Sequence, residues 1–248
     1  MENVELQLSL MDRIELTYEQ ELAVLLTSAT VAMTANITLR GRGAEMPTTF
    51  ARSLSGILID LWLDSIRGAE TVLPLIGVKS DIPANLLDEY LGNYGRLSSS
   101  RIIRTTDNLV LATILDGQRQ GQSLASIEAD LLLRAPNISA LRARAIVATE
   151  THAAFQYGSQ RLAEASGLVL QKQWNSINDN LTRDFGISGR VSSFNHRIMD
   201  GVRIPLKSSF QIPRLGGGVE RLLFPGEPSG SAGNVMFCRC LQTYVRRA

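Results

Sequence analysis

Two histidines and two cysteines are the residues of this chain best suited to bind a metal ion. They are His152, His196, Cys238 and Cys240. Two imidazoles and two thiolates form a ligand set that zinc binds in tetrahedral geometry. The pattern predicts a final strand from Val235 to Val245, on which both sulfurs would share one face, about 6.6 Å apart.

A second interpretation of the same residues involves no metal. In structural zinc sites two or more residues usually separate paired cysteines, whereas here a single residue does. Cys238 and Cys240 would then be small buried hydrophobic residues on the inner face of the strand, and His196 a hydrogen-bonded core or loop residue. Zinc is the one cofactor that the sequence suggests, and both interpretations stay open.

Three further residues have the chemistry of acid and base catalysis. Asp179 and His196 form a candidate pair, and Glu150 adds a second carboxylate. Such residues in loops more often fix turns and cap backbone groups, and Asp200-Gly201 is typical of a turn. The chain has no nucleophile motif, phosphate-binding glycine loop or cofactor fingerprint. The sequence therefore predicts no catalytic residue.

Several short motifs follow one another between about Leu109 and Val245. Their residues are Glu150, Thr151, Trp174, Asp179, His196, Gly201, Pro225, Gly226, Asn234, Cys238, Arg239 and Cys240. In this order they resemble the phage Mu protein F-like family, the minor head proteins of tailed bacteriophages. The chain departs from the family pattern at Glu227, usually Asp, at Phe237, usually Asn, and in an extra segment from about Arg183 to Phe194.

This resemblance implies a structural component of a phage head rather than an enzyme. Its expected partners are the portal protein and the major capsid or scaffold proteins, and a contact with packaged double-stranded DNA stays open. The expected location is the head interior or portal vertex of the virion, reached from the host cytoplasm during assembly. The rival is an enzyme-like effector of the toxin type, acting on nucleotide or nucleic acid through Glu150, Asp179 or His196. A DNA-binding module is a third alternative.

Charge is divided unevenly along the 248 residues, although the formal net charge is only +1. Residues 1–170 contain 14 basic and 19 acidic residues, and residues 171–248 contain 11 and 5. The basic end could face DNA or an acidic protein, or it could be an ordinary solvated surface. The candidate phosphate contacts are Arg190, Arg197, Arg203, Arg214, Arg221, Arg246 and Arg247. Binding through them would be salt-sensitive and independent of sequence.

Aromatic residues are interspersed with these arginines. They are Trp174, Phe210, Phe224, Phe237 and Tyr244. Alternation with basic residues could mean stacking on single-stranded nucleic acid. On short strands, such residues more often form the core of a small sheet, which is the interpretation we favour.

Periodicity predicts an α+β protein, with an N-terminal helical region over residues 1–105 and the family-like module over 106–248. Helices extend to about residue 167, with breaks that include Pro136, N-caps at Ser123 and Ser139, and a long helix from about Ala140 to Ser166. A small antiparallel sheet over 168–248 should pack on that helix.

The amino terminus shows no signal peptide, which predicts a protein made in the cytoplasm. The long uncharged run from Leu22 to Leu39 contains six polar residues, which predicts a helix packed in protein and no membrane partner.

Overall fold

Helices precede strands in this protein, as the α+β prediction requires. The computed structural model describes residues 2–40, 46–76 and 83–246. The helices in these ranges are α1 Glu2–Arg40, α2 Thr48–Val72, α3 Leu86–Tyr90, α4 Arg96–Arg119, α5 Leu124–Ala165 and α6 Ala232–Val235. The strands are β1 Leu170–Asn175, β2 Arg203–Pro205, β3 Phe210–Pro213, β4 Val219–Leu222 and β5 Leu241–Arg246. Single turns of 3₁₀-helix at Leu73–Ile76 and Arg197–Met199 and a π-turn at Leu91–Gly95 complete the helical elements. None of the described helices is both long enough and apolar enough to span a bilayer.

Helix α5 is the central element, and it is longer than predicted. Ser123 caps it as expected, since its side chain accepts a hydrogen bond of 3.1 Å from the Ser126 amide. The predicted break at Pro136 and the N-cap at Ser139 are wrong, because the helix runs through both. A stripe of residues four apart, at positions 131, 135, 139, 143 and 147, stays buried across the proline, which itself faces solvent. Packing along this stripe outweighs the roughly 3 kcal/mol that an internal proline costs a helix.

One hydrophobic core joins α5 to the N-terminal helices. Trp62 of α2, Tyr90 of α3 and Val147 of α5 belong to one cluster, together with Phe224, which follows the last strand of the β3–β4 hairpin. Tyr90 and Tyr157 pack edge to face at 5.1 Å. This core draws residues from both sides of the predicted boundary at 105/106, and that boundary falls inside α4.

The strands form two small antiparallel sheets beside α5. β1 is the centre of a three-stranded sheet with the order β2-β1-β5, and β3 pairs with β4 across the predicted triple-glycine turn. The predicted alternation along β1 is confirmed, since Leu170, Lys172 and Trp174 are buried in turn. Lys172 donates to the Leu223 carbonyl at 2.6 Å, which satisfies its buried ammonium group.

The predicted final strand from Val235 to Val245 is only partly correct. The chain first makes the short helix α6, then an irregular loop through Phe237, Cys238 and Cys240, and pairs with β1 only from Leu241 onwards. Phe237 has a φ of +53°, which no strand residue adopts, so the backbone turns sharply there. Both cysteines therefore lie in a loop instead of on one face of a strand.

Candidate metal centre

The loop between α6 and β5 brings both cysteines to His196. Its Nδ1 atom lies 3.7 Å from the Cys238 Sγ and 3.5 Å from the Cys240 Sγ. The three ligand atoms are within 4.8 Å of one another, and all three side chains are buried. Ligands around a tetrahedral zinc ion are about 3.5 to 3.8 Å apart, given Zn–S near 2.3 Å and Zn–N near 2.0 Å. This cluster thus has the composition and spacing of three zinc ligands.

Hydrogen bonds orient the His196 ring for this role. Its Nε2 atom lies 2.6 Å from the Asn234 Oδ1. The amide group of Asn234 donates to the Glu220 carboxylate at 3.1 Å, so its oxygen faces the imidazole. His196 therefore carries its proton on Nε2, which leaves the Nδ1 lone pair directed at the two sulfurs. Trp174 packs edge to face on the ring at 5.3 Å and holds its plane.

The pKa values of the two thiols are shifted in opposite directions. A hydrogen bond with Cys240 lowers the pKa of the Cys238 thiol well below its usual value. Burial, and the same hydrogen bond, raise the pKa of Cys240. The pair thus favours one thiolate and one thiol without an ion, and an ion would take both as thiolates.

His152, predicted as the fourth ligand, is not part of the cluster. Its Nε2 atom lies 2.7 Å from the Cys240 carbonyl oxygen, so the ring supports the backbone of the cysteine loop. Its Nδ1 atom is buried and has no hydrogen-bond partner in the described part of the chain. That atom faces Gly226, where an added Cβ would come within 2.4 Å. Burial lowers the pKa of His152, which favours a neutral imidazole.

Other motif residues shape the loops around this centre. Asp179 accepts hydrogen bonds from the Leu181 and Thr182 amides at 3.0 and 2.9 Å and pairs with Arg239. Gly201 has a φ of +77° and closes the turn before β2. Three further motif residues, Thr151, Pro225 and Gly226, are buried.

Glu150 lies apart from the metal centre, in the core between α2 and α5. Its Oε2 accepts a 3.0 Å hydrogen bond from the Trp62 indole, and burial raises the pKa of Glu150 to about 7. The carboxyl group lines an apolar cavity of about 170 Å³, which neither Asp179 nor His196 lines. The structure therefore does not bring the three acid and base candidates to one cavity.

The arginines predicted to contact phosphate have different surroundings. Arg197 forms a 3.0 Å ion pair with the buried Asp184, and Arg203 donates to Gln173. Arg214 lies over the Phe194 ring at 5.6 Å. Arg247 lies outside the described residues, while Arg221 and Arg246 are on β4 and β5.

A second cavity, of about 380 Å³, contains the remaining candidate. Arg190 lines it together with Arg183 and Arg239. Sequence reasoning missed Arg183 and gave Arg239 only a structural role. The extra segment from about Arg183 to Phe194 could have indicated this basic cavity, because it contains both Arg183 and Arg190.

Four of the five aromatic residues are core residues, as favoured. Trp174, Phe210, Phe224 and Tyr244 are buried. The core assignment is wrong for Phe237, which is 50% exposed and lines the cavity with the three arginines.

No family model matches this chain, and neither a curated protein nor a solved structure is significantly similar to it. The resemblance to the phage Mu protein F-like family therefore stays a prediction drawn from the motif residues themselves.

Proposed function

We propose that the protein is a minor head protein of a tailed bacteriophage, which joins the portal vertex during procapsid assembly and acts by docking. One observation carries the proposal. Motif residues such as Trp174, His196 and Asn234 are buried beneath loops that expose a hydrogen-bonded hairpin with apolar side chains. Such an arrangement favours contact with another protein over turnover of a substrate.

The hairpin is formed by residues 184–192, within the extra segment. Asp184, fully buried, accepts hydrogen bonds of 2.9 Å from the Gly186 and Ser188 amides, and its own carbonyl accepts another from Ser192. Phe185 and Val191 pair across it as an antiparallel bridge. These bonds hold the hairpin in one conformation, which lowers the entropy lost on binding a partner.

The hairpin presents apolar side chains to solvent. Ile187 is 73% exposed and Val191 is 69% exposed. Apolar side chains on a preorganised loop, close to the arginines of the second cavity, fit a partner with an apolar depression and an acidic rim. The portal protein is the proposed partner, and capsid or scaffold proteins are the others that assembly would supply.

Zinc is the proposed ion of the metal centre. The nitrogen and sulfur ligands favour zinc over magnesium or calcium, which prefer oxygen. Buried ligands fit a structural role, in which the ion joins the loop that carries His196 to the loop that carries Cys238 and Cys240. Both loops border the surface proposed for docking.

The docking role can be tested with the portal protein from the same phage. The Ile187→Asp variant should not co-elute with purified portal, because a buried charge is costly at an apolar interface. A matched control is Leu133→Asp, a change at a position on α5 that is 78% exposed. The control should co-elute normally. Absence of the unmodified protein from portal complexes and from purified heads would refute the proposal.

The enzyme-like effector is the second candidate, and Glu150 supports it. A carboxyl group with a pKa near 7 at the wall of a cavity is typical of general acids and bases. Glu150→Gln should leave incorporation into heads unchanged if the protein is structural. Loss of a hydrolytic or transfer activity on nucleotides, in a variant that still folds, would favour the effector instead.

A further inference from the structure

The second cavity is an unusual basic depression at the edge of the metal centre. Its lining includes Arg183, Arg190, Arg239 and Phe237, and the described residues that line it include no carboxylate. Two of these residues, Phe237 and Arg239, flank the metal-ligating Cys238 in sequence. The cavity is thus built partly by the same loop that completes the cluster.

Positive charge in this cavity is only partly neutralised. Asp179 pairs with Arg239, and Asp184 pairs with Arg197, so both nearby carboxylates already have partners. Arg183 donates to the neutral Met236 carbonyl and keeps its charge.

Arg190, on the hairpin, is exposed, and no side chain in the described ranges pairs with it. In the part of the chain that the structure describes, an exposed and a half-buried arginine thus line one concave site without a carboxylate partner, which is an arrangement suited to phosphate oxygens.

Phe237 places an aromatic ring beside these charges at a conformational cost. Its φ of +53° is the left-handed conformation, which costs a non-glycine residue roughly 1 to 2 kcal/mol. The Thr149 hydroxyl accepts a 3.1 Å hydrogen bond from the Phe237 amide and stabilises this conformation. A strained residue that exposes an apolar ring indicates a binding role.

We propose that this cavity binds a single-stranded nucleic acid, with Arg183 and Arg190 on its phosphates and Phe237 stacked on an unpaired base. Arginine with an exposed aromatic ring is the combination that binds single strands without sequence preference. A duplex hides the faces of its bases, so the ring would add nothing to duplex binding. This inference deepens the proposed function and rests on it, because the phage head would supply the nucleic acid. Docking through the hairpin does not require nucleic-acid binding.

Fluorescence anisotropy with a labelled oligothymidylate of about 20 nucleotides, at about 50 mM and about 200 mM salt, tests the proposal directly. The unmodified protein should bind at the lower salt and weaken steeply at the higher. Arg190→Glu should weaken binding about tenfold, and Phe237→Asn about fivefold or more, since one stacked base supports such a change. Asparagine tolerates the left-handed conformation, so this second variant keeps its fold.

Arg221→Glu is the matched control, because Arg221 is exposed on β4 and does not line the cavity. It should bind within about twofold of the unmodified protein. Equal weakening by Arg221→Glu and Arg190→Glu would overturn the site. Unchanged binding by Phe237→Asn, or tighter binding of a duplex of equal length, would overturn the stacking role.

Two further results separate this inference from others. Displacement of the oligonucleotide by polyglutamate at equal charge concentration would overturn the assignment to nucleic acid and favour an acidic protein. Normal incorporation of the Phe237→Asn variant into heads, with weakened oligonucleotide binding, is the expected result. Loss of incorporation by Ile187→Asp alone, with oligonucleotide binding intact, would show that docking and nucleic-acid binding are separate.

Discussion

Replacing the buried Glu150 by glutamine should stabilise the protein at neutral and alkaline pH. Burial raises the pKa of this carboxyl group from 4.5 to about 7 in the folded state. The folded protein therefore prefers the protonated form of Glu150. The contribution of this group to the free energy of unfolding is fully present below about pH 4.5 and is lost as the pH rises through about 7. The full rise in the pKa of Glu150 corresponds to a loss of roughly 3 kcal/mol in the free energy of unfolding at alkaline pH. Glutamine is neutral throughout and keeps an oxygen that can accept the hydrogen bond from Trp62.

The measurement compares the free energy of unfolding of both proteins at about pH 5 and about pH 8. The gain from Glu150→Gln should be larger at the higher pH by about 2 to 3 kcal/mol. With an m-value of roughly 3 kcal/mol/M, the difference between the urea midpoints of the two proteins should be roughly 1 M larger at the higher pH. Burial also raises the pKa of Glu15 to about 7, but this residue is present in both proteins and its effect cancels.

Glu5→Gln, at an exposed position on α1, controls for the loss of one negative charge. A gain from Glu150→Gln that is the same at both pH values would refute the reasoning, because the carboxylate would then be stabilised in place.

Three other changes test the site and its loops. Gly226→Ala should lower the free energy of unfolding by about 2 to 5 kcal/mol, since the new Cβ would meet His152 at 2.4 Å and the φ of +77° disfavours alanine. Gly216→Ala is the control, because Gly216 has a similar φ but open space around it. It should lower the free energy of unfolding by only about 1 to 2 kcal/mol in the same urea titration. Protein purified without chelator should contain about one zinc per chain by mass spectrometry, and Cys240→Ser should lose it, whereas less than about 0.1 zinc in the unmodified protein would end the zinc assignment. Phe237→Asn should raise the free energy of unfolding by up to about 1 kcal/mol, because asparagine tolerates its φ of +53°, and a lower thermal midpoint would contradict the strain argument.

Local patterns in the sequence were enough to predict the fold class and several of its details. The cap at Ser123, the alternation along β1 and the hairpin at the triple glycine each depend on residues within one turn or one strand. Such features follow from side-chain chemistry and spacing alone. Pro136 shows where this approach fails, because α5 stays continuous through packing against other helices, with Leu131 in one cluster with Met33 of α1 and Val110 of α4.

The candidate ligands were visible in the sequence as its two histidines and two cysteines, but their arrangement was not. Tertiary structure decided that Cys238 and Cys240 meet His196 from a loop, and that His152 supports that loop instead of completing the cluster. It also decided that Phe237 is half exposed and lines a cavity with Arg183, Arg190 and Arg239. Composition determines which chemical groups the chain possesses. Distances between groups more than forty residues apart depend on how α5 and the strands pack, and no local pattern encodes them.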